Sequence, residues 1–276
     1  MKILPNNSSL IYSGRIDLSD PFAIVWTYPG TFVRMKFKGT QLFIHVRNKH
    51  NYWNNYLGVA EGDAQTKLLL PEEGEATIEI PLQTTQDNIH EVTIFKRQDA
   101  CNELTILGFE INCNTNDECE ILEESPLPPR RIEVYGDSVS AGEVSEAVDY
   151  VAKTDPEHNG EYSNSWYSYA WMTARKLNAQ IHDTSQGGIS LLDDTGWFAA
   201  PHYKGVESSY DKIEYHPDLG PTKPWDFSRY IPHVVVVAIG QNDNHPVDYM
   251  AEDYDSEKSK NWRKHYQAFI EKLMQL

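Results

Sequence analysis

The sequence predicts two folds in succession. An all-β sandwich of the jelly-roll type is expected over residues 1–122, and an α/β domain built on a parallel sheet over residues 131–276. Short alternating runs separated by turn residues fill the first region, whereas the second alternates apolar, strand-like runs with longer helical patterns. Residues 123–130 between them are rich in proline, which favours an extended connection, so we place the domain boundary there.

The sandwich prediction depends on a series of short strand-like segments. In residues 32–37, Val33, Met35 and Phe37 alternate with more polar neighbours, as expected for a strand with one buried face. Turn residues such as those at 28–30, 38–39 and 73–74 separate the segments, and many short strands at this spacing are typical of an antiparallel sandwich. The predicted strands cover residues 8–15, 23–28, 32–37, 41–47, 76–80, 90–96 and 104–111.

The α/β prediction depends on three apolar runs and two helical patterns. The four consecutive valines in residues 233–238 are typical of a strand buried in a parallel sheet. Residues 191–230 form a long insertion, and loops of that length are usually functional or disordered, but the many aromatic residues here argue against disorder. The other predicted elements are strands at 131–135 and 179–184 and helices at 163–177 and 256–276.

A Gly-Asp-Ser sequence follows the first of these strands. Gly136 allows a sharp turn, and Ser138 comes directly after it at the carboxyl end of the strand, where α/β folds place their sites. A serine in this position can act as a nucleophile if a base accepts its proton. The alternative is an ordinary turn, since all three residue types favour turns.

Two further motifs follow apolar runs in the same domain: the glycine pair at residues 187–188 and the Gly-Gln-Asn-Asp sequence at residues 240–243. Together with the Gly-Asp-Ser sequence, these motifs resemble the SGNH/GDSL hydrolases. The residues around them are similar to the second carbohydrate esterase family, whose members are acetyl xylan and mannan esterases. This resemblance implies a flavodoxin-like parallel sheet preceded by a β-rich domain, a serine esterase activity and no cofactor or metal. The segments that carry the resemblance are residues 136–143, 157–166, 187–188 and 240–246.

Acyl transfer requires a nucleophile, a base and hydrogen-bond donors for the developing oxyanion. The nucleophile is expected to be Ser138, whose backbone N–H is also an oxyanion donor. Gly188 is expected to provide a second backbone N–H, with Gly187 as its competitor, and Asn242 a side-chain amide. Two aspartates that flank these residues, Asp137 and Asp243, are expected to hold the turns by accepting backbone N–H bonds.

The catalytic histidine is not identified by the sequence. In the family it lies in an Asp-x-x-His block near the C-terminus, so we expect it beyond Leu276, in a longer polypeptide or in a second chain that carries the rest of the hydrolase domain. His245 is the nearest local candidate, and its alternative role is that of a structural loop histidine before Pro246.

The predicted function is the removal of O-acetyl groups from plant-type polysaccharides or oligosaccharides through an acyl-enzyme. Trp197 and Trp225, in the long insertion, are expected to contact the sugar. A glycan-binding protein with an incomplete hydrolase domain remains an alternative, as does a lipid or aryl esterase. Residues 48–56 form a polar and aromatic loop that is either a sugar platform or a cap on the sandwich core.

The amino-acid composition limits the classes of partner that the protein is expected to bind. With 24 Lys and Arg against 41 Asp and Glu, the formal net charge is −17, which disfavours binding to nucleic acid. No apolar run is long enough to span a membrane, and the first residues lack the apolar core of a signal peptide, so we expect a cytoplasmic protein. Three cysteines with loose spacing favour reduced thiols over a disulfide framework.

Overall fold

The computed structural model describes residues 1–114 and 119–276. Its first part consists of antiparallel strands, and the predicted alternation is visible in their burial: Val33, Met35 and Phe37 are fully buried, whereas Arg34 and Lys36 on the same strand are partly exposed. In chain order the strands are Lys2–Ile3 (β1), Ile11–Ser13 (β2), Ile16–Asp17 (β3), Ile24–Trp26 (β4), Phe32–Lys38 (β5), Gln41–His50 (β6), Tyr56–Glu61 (β7), Ala64–Leu69 (β8), Gly74–Ile80 (β9), Ile89–Lys96 (β10), Asn102–Asn112 (β11) and Glu120–Leu122 (β12).

Two six-stranded sheets pack face to face. One has the order β3-β4-β11-β6-β9 with β1 beside β11, and the other the order β12-β5-β10-β7-β8 with β2 beside β5. Their inner faces share one apolar core, in which Trp26, Ile44 and Phe109 of the first sheet meet Phe37 and Ile94 of the second. Burying each such side chain contributes about 1.5–3 kcal/mol. The predicted antiparallel sandwich is thus present, while its jelly-roll connectivity stays a prediction.

The cysteines differ from the sequence-based expectation. Cys113 and Cys119 form a disulfide bond, and Cys101 is a buried free thiol. Strand β12 pairs with β5 of the opposite sheet, and the Cα atoms of the two cysteines lie 5.6 Å apart, a normal distance for a disulfide. The expectation of three reduced thiols was therefore wrong for this pair, because spacing alone does not reveal which cysteines the fold brings together.

A three-stranded parallel sheet organises the second part, in the order β14-β13-β17. The long C-terminal helix α5 begins at its cap Ser256 and packs Trp262, Tyr266 and Phe269 against the sheet region, as the apolar spacing predicted. The strands of this part are Arg130–Gly136 (β13), Ala179–Asp183 (β14), Lys212–Glu214 (β15), Lys223–Pro224 (β16) and Val234–Ala238 (β17), and its helices are Ser138–Ala141 (α1), Tyr169–Lys176 (α2), Val206–Ser209 (α3), Tyr249–Glu252 (α4) and Glu257–Leu273 (α5).

Two predicted elements of this part are corrected. The helix expected from residue 163 begins only at Tyr169, because Asn164 caps a separate 3₁₀ turn and Ser168 then caps α2. Strand β17 pairs in parallel with β13 as predicted, but it is not buried: Val234 and Val235 are 53% and 37% exposed. Among the described residues β17 is an edge strand of the sheet, and the packing around it leaves these two side chains partly exposed.

Buried contacts join the sandwich to the α/β part. The guanidinium of Arg15 donates to Glu133 Oε1 at 2.9 Å, to the hydroxyl of Tyr135 at 2.7 Å and to the carbonyl of Tyr210 in the insertion at 2.5 Å. Arg15 and Glu133 are 1% and 3% exposed, and a buried pair of this kind is tolerated only when its hydrogen bonds are satisfied. No helix in the described part of the chain is long and apolar enough to cross a membrane.

Candidate active site

Three neighbouring parallel strands end at one edge of the sheet, and each is followed by a predicted site residue. Ser138 follows β13, Gly187 and Gly188 follow β14, and Asn242 follows β17. Because the strands run in parallel in the order β14-β13-β17, the nucleophile candidate lies on the central strand, between the two loops that carry the donor candidates. The structure therefore brings the three motifs together.

The turn that presents Ser138 is fixed by its neighbours. Asp137 caps helix α1 and accepts a hydrogen bond from the Val139 N–H at 3.1 Å, as expected from the sequence. A Cβ on Gly136 would lie 2.1 Å from Ser140 Oγ, so only glycine fits at this strand exit. Ser138 itself is half-buried, its hydroxyl has no hydrogen-bond partner among the described residues, and it lines an open cleft of ≈ 360 Å³.

The two glycines after β14 differ in what their N–H groups contact. Gly187 donates its N–H to Asp99 Oδ2 at 2.5 Å, whereas the N–H of Gly188 has no acceptor among the residues that the structure describes. Gly188 has φ +72°, and its carbonyl accepts a hydrogen bond from the Trp197 N–H at 2.8 Å. Of the two, Gly188 is the one whose N–H is free to bind an oxyanion.

The loop that carries these glycines is held by the sandwich. Asp99, in the connection between β10 and β11, is 1% exposed and accepts from Gln186 Nε2 at 2.8 Å as well as from Gly187. Gln186 Oε1 in turn accepts from the Ala100 N–H at 3.2 Å and from the Tyr215 hydroxyl at 2.7 Å. The sequence analysis missed Asp99, since nothing around it in the sequence marks a site.

The loop after β17, which carries Asn242 and Asp243, is hydrogen-bonded to the loop after β14. Asn242 donates one N–H of its amide to the Ile189 carbonyl at 3.0 Å, which leaves the other N–H without an acceptor among the described residues. Asp243 accepts from the Leu191 N–H at 3.0 Å and from the indole N–H of Trp262 on α5 at 2.7 Å. Burial raises the pKa of Asp243 above its usual value, and its role is that of the predicted scaffold carboxylate.

Of the histidines in the described part of the chain, His158 is the one that lines the Ser138 cleft. Its Nδ1 lies 3.8 Å from Glu143 Oε2 and its Nε2 lies 3.5 Å from Asp155 Oδ2. Burial, together with the nearby carboxylates of Asp99, Asp137 and Asp155, raises the pKa of Glu143 to about 8. His158 lies in the segment 157–166 that carries part of the family resemblance, but that resemblance assigns it no role, so it was not among the predicted site residues.

His245 does not line that cleft. Its Nδ1 lies 2.7 Å from the Gly196 carbonyl, and its ring stacks on Trp197 with 3.5 Å between the ring centroids. The imidazole therefore supports the indole of Trp197, which matches the structural role that the sequence analysis left open for it.

The two tryptophans expected to contact sugar differ in their surroundings. Trp197 is 59% exposed and adjoins Gly188, so it offers an aromatic surface beside the oxyanion-donor candidate. Trp225 is only 6% exposed and packs with Ile213 and Tyr230 in a small core under the insertion. The structure contradicts the prediction that Trp225 contacts substrate, because apolar residues of the insertion bury its ring.

Known proteins resemble the chain in both sequence and fold. A family model described as "Carbohydrate esterase 2 N-terminal" matches residues 12–116. The cellulase/esterase CelE of Acetivibrio thermocellus is 27% identical over 239 residues, which are 86% of this chain and 27% of that protein. An acetylxylan esterase / glucomannan deacetylase of Cellvibrio japonicus is 28% identical over 244 residues, which are 84% of this chain and 61% of that protein. The chain thus spans less than two thirds of the length of either relative.

Solved structures share the fold. A family two carbohydrate esterase from Cellvibrio japonicus superimposes with a TM-score of 0.81 at 22% identity, covering 100% of this chain and 75% of that one. Another from Clostridium thermocellum, in complex with cellohexaose, gives a TM-score of 0.78 at 24% identity over 96% of this chain and 74% of that one. The sequence matches confirm the predicted resemblance to carbohydrate esterases of family 2, and the solved structures confirm the predicted fold class.

Proposed function

We propose that this chain contains the serine machinery of a carbohydrate esterase that removes O-acetyl groups from plant-type polysaccharides or oligosaccharides, such as acetylated xylan and mannan. The observation that carries the proposal is that Ser138, Gly188 and Asn242 follow three neighbouring parallel strands at one sheet edge, and that among the described residues the Ser138 hydroxyl and the Gly188 N–H have no hydrogen-bond partner. The activities of the Cellvibrio japonicus relative, an acetylxylan esterase / glucomannan deacetylase, support the choice of ester.

In the proposed reaction, Ser138 Oγ adds to the acetyl carbonyl while a base takes its proton. The carbonyl oxygen becomes an oxyanion that accepts from the N–H groups of Ser138 and Gly188 and from the Asn242 amide, and each such donor is worth about 10²–10³ in kcat. The bond to the sugar oxygen then breaks and that oxygen receives the proton. Water repeats the same steps on acetyl-Ser138 and releases acetate.

The base has two candidate sources. One is an Asp-x-x-His block of the kind that the family resemblance implies, and the other is His158, which shares the cleft with Ser138 and lies near Glu143 and Asp155. The carboxylate of Asp155 lies 3.5 Å from His158 Nε2, and a carboxylate beside an imidazole stabilises its protonated form, as in serine hydrolases. His158→Ala tests the second source: a loss of activity as large as that of Ser138→Ala assigns the base to His158, and survival of activity shows that His158 is not the base.

The test of the function is the release of acetate from acetylated xylan and glucomannan by the chain and by Ser138→Ala. We expect the substitution to abolish release, with a loss of at least about a thousandfold in kcat, while the fold and sugar affinity persist. Ser228→Ala, an exposed serine bonded to Asp226, serves as the matched control and should change nothing. Treatment with a chelator should leave activity intact, because serine acyl transfer needs no metal.

Other outcomes would redirect the assignment. Full activity in Ser138→Ala, or loss with chelator that a divalent ion restores, would contradict the proposed chemistry. Glycan binding without hydrolysis would favour the alternative of a glycan-binding protein. A preference for long-chain acyl or aryl esters would favour the alternative of a lipid or aryl esterase. The exposed indole of Trp197 beside Gly188 favours sugar, because an indole face suits the C–H face of a pyranose.

A further inference from the structure

A second open groove lies beside the Ser138 cleft, at the junction of the sandwich with the α/β part. It encloses ≈ 510 Å³, and we call it the Trp53 groove. Residues on both sides form its walls: His50 at the end of strand β6 with Trp53 and Asn54 after it, Glu72 between β8 and β9, and His158 and Asn159 of the α/β part. Because His158 lines both the groove and the Ser138 cleft, the two spaces adjoin.

The backbone around Trp53 is held firmly, so the indole does not sit on a loose loop. The Asn54 N–H donates to the Asn159 carbonyl at 3.0 Å, and the Asn54 carbonyl accepts from Gln98 Nε2 at 3.0 Å. Trp53 itself has φ +56°, a left-handed conformation that is unfavourable for a bulky residue. Strain of this kind persists where surrounding contacts impose it, and it is concentrated at functional sites.

The indole of Trp53 remains partly exposed in the groove. Its two aromatic neighbours meet it at steep angles, Tyr52 at 90° with 5.0 Å between centroids and His158 at 67° with 5.7 Å. Neither ring lies flat on the indole, and the ring is not part of the sandwich core. A ring that capped the core would be expected to pack into it, so the cap explanation for this loop loses its main support.

The other groove walls combine an apolar stretch, Leu69 to Pro71, with polar and acidic residues. Asn54 and Glu72 are exposed, and Asn159 and Glu157 stand on the opposite wall. Carboxylates and amides accept and donate hydrogen bonds to neutral hydroxyl groups, whereas two carboxylates would repel a phosphate or another anion. An aromatic ring with such polar groups around it suits a neutral pyranose, whose C–H face contacts the ring while its hydroxyls bond to the rim.

We propose that the Trp53 groove is a sugar-binding subsite, in which the sandwich part of the chain binds a glycan unit beyond the acetylated one. The link to ester chemistry rests on the proposed function, whereas sugar binding in the groove does not. A chain that enters the Ser138 cleft passes His158 and reaches Trp53, so longer oligosaccharides gain a contact that short ones lack.

The test measures binding in the Ser138→Ala background, where no turnover occurs. Calorimetric titration uses unacetylated xylo- and manno-oligosaccharides from two to six units. Trp53→Ala should weaken the binding of the six-unit sugars about tenfold and leave that of the two-unit sugars within about twofold. Trp53→Phe, which keeps a ring, should recover part of the affinity. Tyr254→Ala is the matched control, an aromatic residue that is 62% exposed and lies outside both spaces.

The proposal is overturned if Trp53→Ala weakens the binding of short and long sugars equally, or if it weakens the binding of neither. Glu72→Gln provides a second probe in case Trp53→Ala does not fold, since Glu72 is exposed on the rim, and the same dependence on chain length is expected. The outcomes remain separable from those of the proposed function: length-dependent binding that is lost in Trp53→Ala supports the groove even if the active protein releases no acetate.

Discussion

Asp99 lies in the sandwich, yet it should control the rate of hydrolysis through the Gly187–Gly188 loop. Its two carboxylate oxygens both accept hydrogen bonds: Oδ2 from Gly187 and Gln186, and Oδ1 from the N–H and thiol of Cys101. In Asp99→Asn, whichever way the amide turns, its NH₂ group faces donors rather than acceptors. If it faces Gly187, that N–H loses its partner and the neighbouring Gly188 donor moves.

The size of the effect follows from these contacts. Hydrogen bonds to a charged group are worth about 1.5–3 kcal/mol each, so the loss of two lowers the free energy of unfolding by about 3 kcal/mol or more. At about 2–4 °C per kcal/mol, the melting temperature should fall by about 6–12 °C. A displaced oxyanion donor loses part of its contribution of about 10²–10³, so we expect kcat to fall about 10- to 100-fold.

The assay compares kcat and KM for the acetyl ester with the melting temperature of each variant. Asp17→Asn is the matched control, because Asp17 is also a buried sandwich carboxylate that contacts the insertion, through Lys223 at 2.7 Å, but it is not bonded to the Gly187–Gly188 loop. It should lose stability without losing kcat. For Asp99→Asn, kcat should fall while KM stays within about twofold. If the variant melts earlier but keeps its kcat, Asp99 only stabilises the fold and does not position the oxyanion donors.

Two further predictions concern titration and the second histidine. Burial and neighbouring carboxylates raise the pKa of Glu143 from 4.5 to about 8, so the folded state binds the proton more tightly. The stability that Glu143 contributes is present below about pH 4.5 and is lost as the pH rises through 8. Glu143→Gln should therefore make the melting temperature less dependent on pH between these two values. If the melting temperature of the variant changes with pH as steeply as that of the original protein, the raised pKa of Glu143 is contradicted. His245→Ala should raise KM through loss of the Trp197 stack and leave kcat within about threefold, measured in the acetate assay. A collapse of kcat at unchanged KM would instead make His245 the base.

Much of the fold was predictable because its signals are local. The alternation in strand β5 reports which face is buried, and a Gly-Asp-Ser sequence after an apolar run reports a strand exit. The placement of Ser138, Gly188 and Asn242 at one sheet edge followed from a general property of parallel sheets, in which the carboxyl ends of the strands share one edge. Contacts between neighbours in the sequence and rules of topology were sufficient for both.

The remaining features depend on contacts between distant parts of the chain. Trp225 and Trp197 belong to the same aromatic insertion, yet one is buried by the insertion itself and the other is exposed beside Gly188. Composition does not distinguish them, since aromatic residues fill cores as well as binding sites. The valines of β17 have the pattern of a buried strand, but burial also requires an element that covers them. For the same reason the sequence could not reveal the Cys113–Cys119 pair.

The contacts of Asp99 change how the sandwich itself is understood. A separate binding module would be connected to the catalytic part by a linker and a polar interface, and its loss would leave the site intact. Here a carboxylate that is 88 positions away in the sequence fixes the N–H of Gly187, and the buried Arg15 and Glu133 join the same two parts on another side. Removing the sandwich would leave the Gly187–Gly188 loop without its hydrogen-bond acceptor and Glu133 as an unpaired buried charge, which costs several kcal/mol. The sandwich is therefore a structural part of the candidate active site, and the two parts are expected to unfold together.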